Sequence, residues 1–228
     1  MRIIFVRHGH PDYKLDCLTE LGHKHGEAVA QRLKNEAINT IYSSSKGRAM
    51  ETAAHIAQFH NKEIIPCDFI REISWGSKTE EPIPQNGHPW SVVDDMIAQN
   101  ESLLRPNWAT EDFFKDNRVV AYVEAVQVGI DEWLSSLGYD RDGHYYRVRE
   151  KNDETVVMVS HGGSSNAALA RMFNLPFPVL CEILNPGFTG IHIVRMSGEV
   201  GSLISPSFEL ANDGRHIAGV TTEATFDN

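Results

Sequence analysis

The chain has 228 residues with a formal net charge of −10, and 41% of its residues are hydrophobic. This length fits one large domain, or a domain that carries an inserted subdomain. The acidic balance argues against general nucleic-acid binding, which needs a basic surface, but it leaves room for a small basic pocket that holds an anion by local geometry.

Sequence features that mark membranes, disulfides or metals are absent or weak. No apolar run approaches the length of a membrane span, and the N-terminal apolar stretch is too short for a signal-peptide core. Cys17, Cys67 and Cys181 are odd in number and far apart, which favours a reduced compartment over a disulfide framework. We therefore expect a cytoplasmic protein without a membrane or nucleic-acid partner. Despite eleven histidines, no Cys/His spacing typical of a zinc site is present, so we expect no metal and no cofactor.

Strand-like runs alternate with helical patterns along the chain. The predicted strands cover residues 3–6, 40–43, 63–67, 155–160, 191–195 and 202–205. The run at 155–160 is nearly continuous in β-branched residues, as expected for a strand that is covered on both faces. Helical spacing predicts helices at about 20–34 and 46–60, and a third from Gly162-Gly163 to about residue 173. This alternation predicts an α/β fold, a three-layer α/β/α sandwich with a mostly parallel sheet.

The pattern changes between about residues 80 and 153. A loop rich in proline and glycine precedes a long amphipathic helix at about 113–137, and a short exposed strand is predicted at 145–149. The sheet pattern then resumes, so we predict a single domain over residues 1–228 with a helical insertion at about 80–153. The long helix is interpreted as packing against the sheet, with a lid or a dimer face as alternatives. The oligomeric state is left open, with a homodimer as one option.

Several large aromatic residues lie in or next to this segment. They are interpreted as packing the insertion onto the sheet, since buried aromatics are mostly core residues, and a lining of a substrate pocket is the alternative. The residues concerned are Trp75, Trp90, Trp108, Phe113 and Phe114.

Polar and charged residues follow directly after several predicted strands. Arg7-His8-Gly9 follows the first strand, Arg48 opens the helix after the second, and His161-Gly162 follows the strand at 155–160. Glu72 comes shortly after the strand at 63–67. Because ligands of open α/β sheets bind beyond the carboxyl ends of the strands, we expect these side chains to meet in one crevice.

Two arginines, two histidines and one carboxylate suit phosphoryl transfer. The planar fork of arginine matches pairs of phosphate oxygens, and free N–H groups at a helix N-terminus favour an anion further. A neutral imidazole offers a lone pair that attacks phosphorus, while a carboxyl with a raised pKa protonates the leaving oxygen. Cationic side chains can neutralise the phosphoryl oxygens without a metal ion.

The same residues carry a family resemblance over most of the chain. The shared elements are Arg7-His8-Gly9, L-T-x-x-G at 18–22, S-x-x-x-R-A-x-x-T-A at 44–53, E-x-x-x-G at 72–76, H-G at 161–162 and N-D-x-x-H at 212–216. This set resembles the histidine phosphatase superfamily, the phosphoglycerate mutase-like enzymes. The last element, which ends at His216, is interpreted as a hydrogen-bonded turn under the sheet edge.

The resemblance implies a metal-independent phosphatase of the histidine acid type that acts on a small phosphate ester. His8 is implied to be the nucleophile that becomes phosphohistidine, and Glu72 the proton donor that later activates the hydrolytic water. Arg7, Arg48 and His161 are implied to bind the phosphoryl group and to stabilise its transition state.

This chain departs from the common family pattern at two positions. Many members carry an acidic residue or glutamine after the R-H-G, and an asparagine six residues past the histidine, where this chain has His10 and Lys14. We expect Lys14 or Ser45 to complete the phosphate pocket, together with backbone N–H groups around Gly162. The extended stretches typical of the mutase branch are not apparent, so phosphatase activity is favoured. A phosphoglycerate-type mutase and a non-catalytic phosphate-binding protein are the alternatives.

Overall fold

The computed structural model describes residues 1–220 as an alternation of strands and helices. The strands are β1 (Arg2–Arg7), β2 (Pro11–Asp12), β3 (Cys17–Leu18), β4 (Thr40–Ser44), β5 (Ile64–Cys67), β6 (Tyr139–Asp142), β7 (Tyr145–Val148), β8 (Thr155–Ser160), β9 (Ile191–Arg195), β10 (Leu203–Ile204) and β11 (Ser207–Asp213). The helices are α1 (Glu20–Leu33), α2 (Gly47–His60), α3 (Pro89–Ala98), α4 (Val119–Ser136), α5 (Gly162–Phe173) and α6 (Phe177–Ile183).

A six-stranded sheet forms the middle layer, in the order β11-β9-β1-β8-β4-β5. Strands β1, β8, β4 and β5 are parallel to one another, and β9 runs antiparallel to both β1 and β11. Two smaller sheets, β10-β7-β6 and β2-β3, lie outside it. The parallel strands direct their carboxyl ends to one edge, which is the edge at which α/β folds bind ligands.

Alternating side chains of the central strands pack into two separate hydrophobic clusters. On β1, Ile3 and Phe5 join one cluster, whereas Ile4 and Val6 join the other. The first cluster also contains residues of α3, α4, α5 and α6, and the second contains residues of α1 and α2. Since successive side chains of a strand point to opposite faces, the sheet is covered on both sides. This confirms the predicted α/β/α sandwich with a mostly parallel sheet.

Most strands of the central sheet agree closely with the prediction, and the predicted short strand at 145–149 is confirmed as β7. The predicted strand at 202–205 is shortened to β10, which pairs with β7 rather than with the central sheet. Strands β6 and β11 were not predicted. In β11 nearly every residue is at least partly exposed and its pairing with β9 shifts register twice, so the sequence lacks the alternation that marks a regular strand.

The helical predictions were accurate for α1, α2 and α5 and wrong at the start of α4. The predicted helix at 113–137 begins only at Val119, because the Asn117 side chain accepts from the Val119 N–H at 3.1 Å and ends the preceding turns. Helices α3 and α6 were missed. Helix α3 is short and begins at a proline, with the His88 side chain accepting from the Ser91 N–H.

The aromatic residues of the central segment divide into two groups. Trp108 and Phe114 are buried in the large cluster, and Phe113 and Trp90 pack against it, so the packing interpretation is confirmed for these four. Trp75 is 37% exposed, and Trp90 is partly buried next to the N-terminus of α5. The division of residues 1–228 into one domain with an insertion at about 80–153 stays a prediction, and its last part, 221–228, lies outside the described residues.

Among residues 1–220, the structure contains no helix with the length and apolar character needed to cross a membrane.

The register of three parallel strands brings the predicted site together. Arg7 of β1 pairs with Ser160 of β8, and the His8 N–H extends the ladder by donating to the Ser160 carbonyl at 2.9 Å. Ser43 of β4 pairs with Val159 on the other side of β8. The residues that follow these three strands therefore lie next to one another.

Past the end of β1, the chain runs so close to α1 that a Cβ atom on Gly22 would lie 2.1 Å from the His10 carbonyl oxygen.

Candidate active site

His8 is buried at the end of β1 with a defined tautomer. Its Nδ1 lies 2.7 Å from the Gly9 carbonyl oxygen, which can only accept, so Nδ1 carries the proton. Its Nε2 accepts from the Arg48 Nε–H at 3.2 Å, so the lone pair lies on Nε2. Burial, followed by the charge of Arg7, lowers the pKa of His8 well below its usual value. The imidazole is therefore neutral at neutral pH and presents a lone pair inside the site.

Arg48 lies in the first turn of α2 and is itself buried. Besides the contact with His8, its Nη1 is ion-paired with the carboxylate of Asp16. Asp16 also accepts from the Gly47 N–H at 3.1 Å, so this carboxylate joins the start of α2 to the turn between β2 and β3. The role of Asp16 was not predicted, since the sequence does not show which acidic residue lies beside Arg48.

Arg7, the last residue of β1, contacts the loop between α6 and β9. Its Nη1 donates to the Pro186 carbonyl at 2.6 Å, and its guanidinium lies 4.5 Å from the ring centre of Phe188. Its Nε is buried and has no hydrogen-bond partner within residues 1–220. Burial lowers the pKa of Arg7, and Glu72 is the largest opposing influence. The structure thus brings Arg7 and Glu72 into one electrostatic environment.

His161 follows β8 and lies beside His8, with the two ring centres 5.1 Å apart in an edge-on arrangement. Its Nε2 is paired with the Ser44 hydroxyl at 2.8 Å, and its Nδ1 is buried without a partner in the described part of the chain. Burial lowers the pKa of His161 well below its usual value. A second neutral imidazole therefore lies next to the first, with one nitrogen available to a ligand.

Glu72 is fixed against the N-terminus of α5. Its Oε1 accepts from the Ile73 N–H at 3.0 Å and from the Ser164 N–H at 3.1 Å. A Cβ atom on Gly163 would lie 2.4 Å from Ile73 and 2.8 Å from this Oε1, so only glycine allows the carboxyl to approach. Burial raises the pKa of Glu72, with Arg7 as the largest opposing influence. A carboxyl held in this way can keep its proton at a higher pH than an ordinary glutamic acid.

The backbone at the start of α5 adds N–H donors to the same region. A Cβ atom on Gly162 would lie 3.8 Å from Arg7 Nε and 3.8 Å from the Trp90 ring. The first N–H groups of a helix have no intrahelical partner, and here the Ser164 N–H is taken by Glu72. The N–H groups of Gly162 and Gly163 are therefore available to an anion beside Arg7.

Five predicted side chains thus lie together, and two do not. Arg7, His8, Arg48, His161 and Glu72 are joined by the contacts described above. The Lys14 side chain is exposed and makes no hydrogen bond or ion pair among the contacts of residues 1–220. Ser45 is exposed, and its hydroxyl donates to Asp68. The neighbouring Ser44, the last residue of β4, carries the hydroxyl that contacts His161.

His216 lies behind the site rather than in it. Its Nε2 is paired with the Thr189 hydroxyl at 3.0 Å, and Thr189 donates its backbone N–H to the His8 carbonyl at 3.2 Å. Phe188, on the same loop, packs against Arg7 and lies 5.9 Å from the His8 ring. Asp213 accepts from Arg32 and Arg215. The C-terminal element therefore supports the loop on which the site rests.

Comparison with known proteins identifies the family. A family model described as histidine phosphatase superfamily (branch 1) matches residues 3–112. Phosphoserine phosphatase 1 of Hydrogenobacter thermophilus is 31% identical over 171 residues, which cover 71% of each chain. The protein named "Probable phosphoglycerate mutase GpmB" of Yersinia pestis is 30% identical over 186 residues, covering 77% of this chain and 76% of that one. The chain belongs to the histidine phosphatase superfamily.

Solved structures share the fold over nearly the whole chain. A phosphoserine phosphatase from Entamoeba histolytica, crystallised in complex with 3-phosphoglyceric acid, superposes with a TM-score of 0.62 at 22% identity and covers 95% of this chain and 98% of its own. A mycobacterial glucosyl-3-phosphoglycerate phosphatase superposes with a TM-score of 0.61, also at 22% identity, and covers 92% of this chain and 98% of its own. These similarities confirm the α/β fold.

The neutral imidazoles make stability depend on pH. Below their usual pKa of about 6.5, the histidines of the unfolded chain bind protons that His8 and His161 do not bind when folded. The free energy of unfolding is therefore expected to fall as the pH decreases from about 7 to about 5. We expect His161→Asn to reduce this slope by up to about 1.4 kcal/mol per pH unit. Urea unfolding at several pH values measures the slope, and an unchanged slope would contradict a neutral His161.

Proposed function

We propose that this protein hydrolyses small phosphate monoesters through a phosphohistidine formed on His8. The observation that carries the proposal is the tautomer of His8. Its Nδ1–H donates to the Gly9 carbonyl, so Nε2 has no proton and its lone pair points at Arg48. A nucleophilic imidazole needs this arrangement beside groups that bind a phosphoryl oxygen. Relatives within the family include a phosphoserine phosphatase.

In the first step, the Nε2 lone pair of His8 forms a bond to phosphorus while the bond between phosphorus and the leaving oxygen breaks. Arg48 now donates its Nε–H to His8, and on substrate binding this N–H turns to a phosphoryl oxygen and frees the lone pair. Arg7 and the N–H groups of Gly162 and Gly163 bind the other oxygens, and His161 Nδ1 supplies one more contact. These fixed donors neutralise charge as it spreads over the phosphoryl oxygens.

Glu72 handles the proton in both steps. Its carboxyl gives its proton to the leaving oxygen in the first step, which releases a neutral alcohol. In the second step the carboxylate takes a proton from water as that water attacks phosphorus, and the bond to His8 Nε2 breaks with its electrons returning to nitrogen. Inorganic phosphate leaves, and Glu72 is again protonated. The raised pKa of Glu72 suits both roles.

We also propose that the reaction needs no metal ion, which is the histidine acid type of mechanism. Within residues 1–220 there is no group of three or more His, Cys, Asp or Glu side chains placed to hold one, and Arg7 and Arg48 supply positive charge. Activity on an aryl phosphate is therefore expected to persist after dialysis against EDTA. Loss of activity in EDTA that a divalent cation restores would contradict this mechanism.

Two finer assignments complete the proposal. The three cysteines are unpaired thiols, which supports a reducing, cytoplasmic location. The substrate class we propose is a small phosphorylated metabolite, because similar proteins are named for phosphoserine and phosphoglycerate.

A phosphoglycerate-type mutase is the second candidate, favoured by the relatives named for that activity. A mutase returns the phosphoryl group from histidine to a second hydroxyl of the substrate instead of giving it to water. With 3-phosphoglycerate as substrate, release of inorganic phosphate supports the phosphatase, and an isomerised product without phosphate release supports the mutase. A non-catalytic phosphate-binding protein would give neither product.

Replacing the nucleophile tests the mechanism directly. We expect His8→Ala to abolish the release of phosphate from p-nitrophenyl phosphate, because no other side chain offers a lone pair at Nε2's position. Removal of a buried ring costs some stability, so circular dichroism must show that the variant is folded at the assay temperature. Wild-type turnover by a folded His8→Ala variant would refute the phosphohistidine.

Removing the acid should discriminate between leaving groups. Glu72→Gln retains an oxygen for the Ile73 and Ser164 N–H groups but has no proton of suitable acidity to give. We expect hydrolysis of an alkyl phosphate to slow by about 100-fold or more, and of an aryl phosphate much less, since a phenolate needs little protonation. Steady-state kcat/KM for the two substrates measures the effect, because it reports phosphorylation of His8 and excludes the later hydrolysis of phosphohistidine, which both substrates share. Equal slowing of both would argue against proton donation by Glu72.

A further inference from the structure

The turn between β2 and β3 places one exposed aromatic side chain against Arg48 of the site. Tyr13 is 66% exposed, yet the Arg48 guanidinium carbon lies 5.4 Å from the centre of its ring. Tyr13 also belongs to the electrostatic surroundings of Arg7, where it opposes the lowering of the Arg7 pKa by burial. The ring face thus lies against Arg48, on the side of the site where Arg7 also contributes its charge.

This placement of Tyr13 is built into the turn. Asp12 Oδ1 accepts from the N–H groups of Lys14 at 2.9 Å and Leu15 at 3.1 Å, which closes the turn at its start. At its end, Asp16 has a left-handed φ of 54° and is ion-paired with Arg48. The turn is therefore fixed at one end by its own hydrogen bonds and at the other by a residue of the site.

A tyrosine at this place can complete the phosphate site in a way that Lys14 does not. A phenol accepts a hydrogen bond through its oxygen and donates another through its proton, so it can link an arginine to an anion. Its ring face attracts a guanidinium, which keeps the side chain at the site although it is exposed to water. Lys14 is the residue at the position of the family's asparagine, and its side chain is exposed without a described partner.

We propose that Tyr13 is a phosphate-binding residue of this site. Its oxygen accepts from the Arg7 guanidinium, and its O–H donates to a non-bridging oxygen of the phosphoryl group bound between Arg7 and Arg48. The proposal rests on the proposed function only in placing the phosphoryl group between these two arginines. It assigns to Tyr13 the part that the sequence suggested for Lys14 or Ser45.

The test compares phosphate binding with turnover. Tyr13→Phe keeps the ring on Arg48 and removes only the hydroxyl. We expect its affinity for inorganic phosphate, measured by isothermal titration calorimetry, to fall by about tenfold, as for the loss of one hydrogen bond to a charged group. With p-nitrophenyl phosphate, KM is expected to rise by a similar factor while kcat changes little, because the contact is made in both the bound and transition states.

Two variants of the same turn serve as references. Leu15→Ala changes a side chain that is 70% exposed and should bind phosphate like the wild type. Lys14→Met tests the competing residue. The proposal is overturned if Tyr13→Phe binds phosphate as tightly as the wild type, or if Lys14→Met alone weakens binding tenfold. Because calorimetry needs no turnover, a wild-type protein that binds phosphate without hydrolysing it would refute the proposed function and leave the test of Tyr13 valid.

Discussion

The candidate site depends above all on the register between β1 and β8. Pairing of Arg7 with Ser160 places the next residue of each strand, His8 and His161, side by side, and the His8 N–H bonds to the Ser160 carbonyl. A shift of one residue would turn every alternating side chain to the other face of the sheet. The two hydrophobic clusters prevent this shift, since Ile3 and Phe5 fit one and Ile4 and Val6 the other. Core packing and chemistry are therefore set by the same register.

The site keeps its two imidazoles neutral mainly by burying them, and the positive charge beside them adds to the effect. Burial is the largest influence that lowers the pKa of both His8 and His161, and the charges of Arg7 and Arg48 act in the same direction. The carboxylate of Asp16, which is partly exposed to solvent, neutralises the charge of Arg48. The guanidinium can therefore lie close to His8 without being an unpaired buried charge. A protein of net charge −10 thus carries a local cationic pocket, and geometry rather than the overall field selects the anion.

The parts of the molecule that were predictable are those with strong local signals. Strand β8 is a continuous β-branched run, and the residues after β1 and β8 break the apolar pattern sharply, so both the sheet and the cluster of Arg7, His8 and His161 follow from the sequence. Strand β11 is exposed and bulged, so no periodicity reveals it. Ser44 and Ser45 are adjacent and identical, and only the structure shows that Ser44, the last residue of β4, faces His161. Contacts between side chains far apart in sequence, such as Arg48 with Asp16, are set by tertiary structure alone.

In the proposed mechanism, the anchoring of Glu72 has a geometric consequence for which esters the site can cleave. One carboxyl oxygen is locked by two backbone amides at the start of α5, so the acidic proton resides on the other oxygen and can travel along a single line. An ester must therefore enter with its bridging atom on that line, whatever the rest of the molecule looks like. Selectivity between esters would then depend on the loops that surround the site, while the acid itself stays immobile.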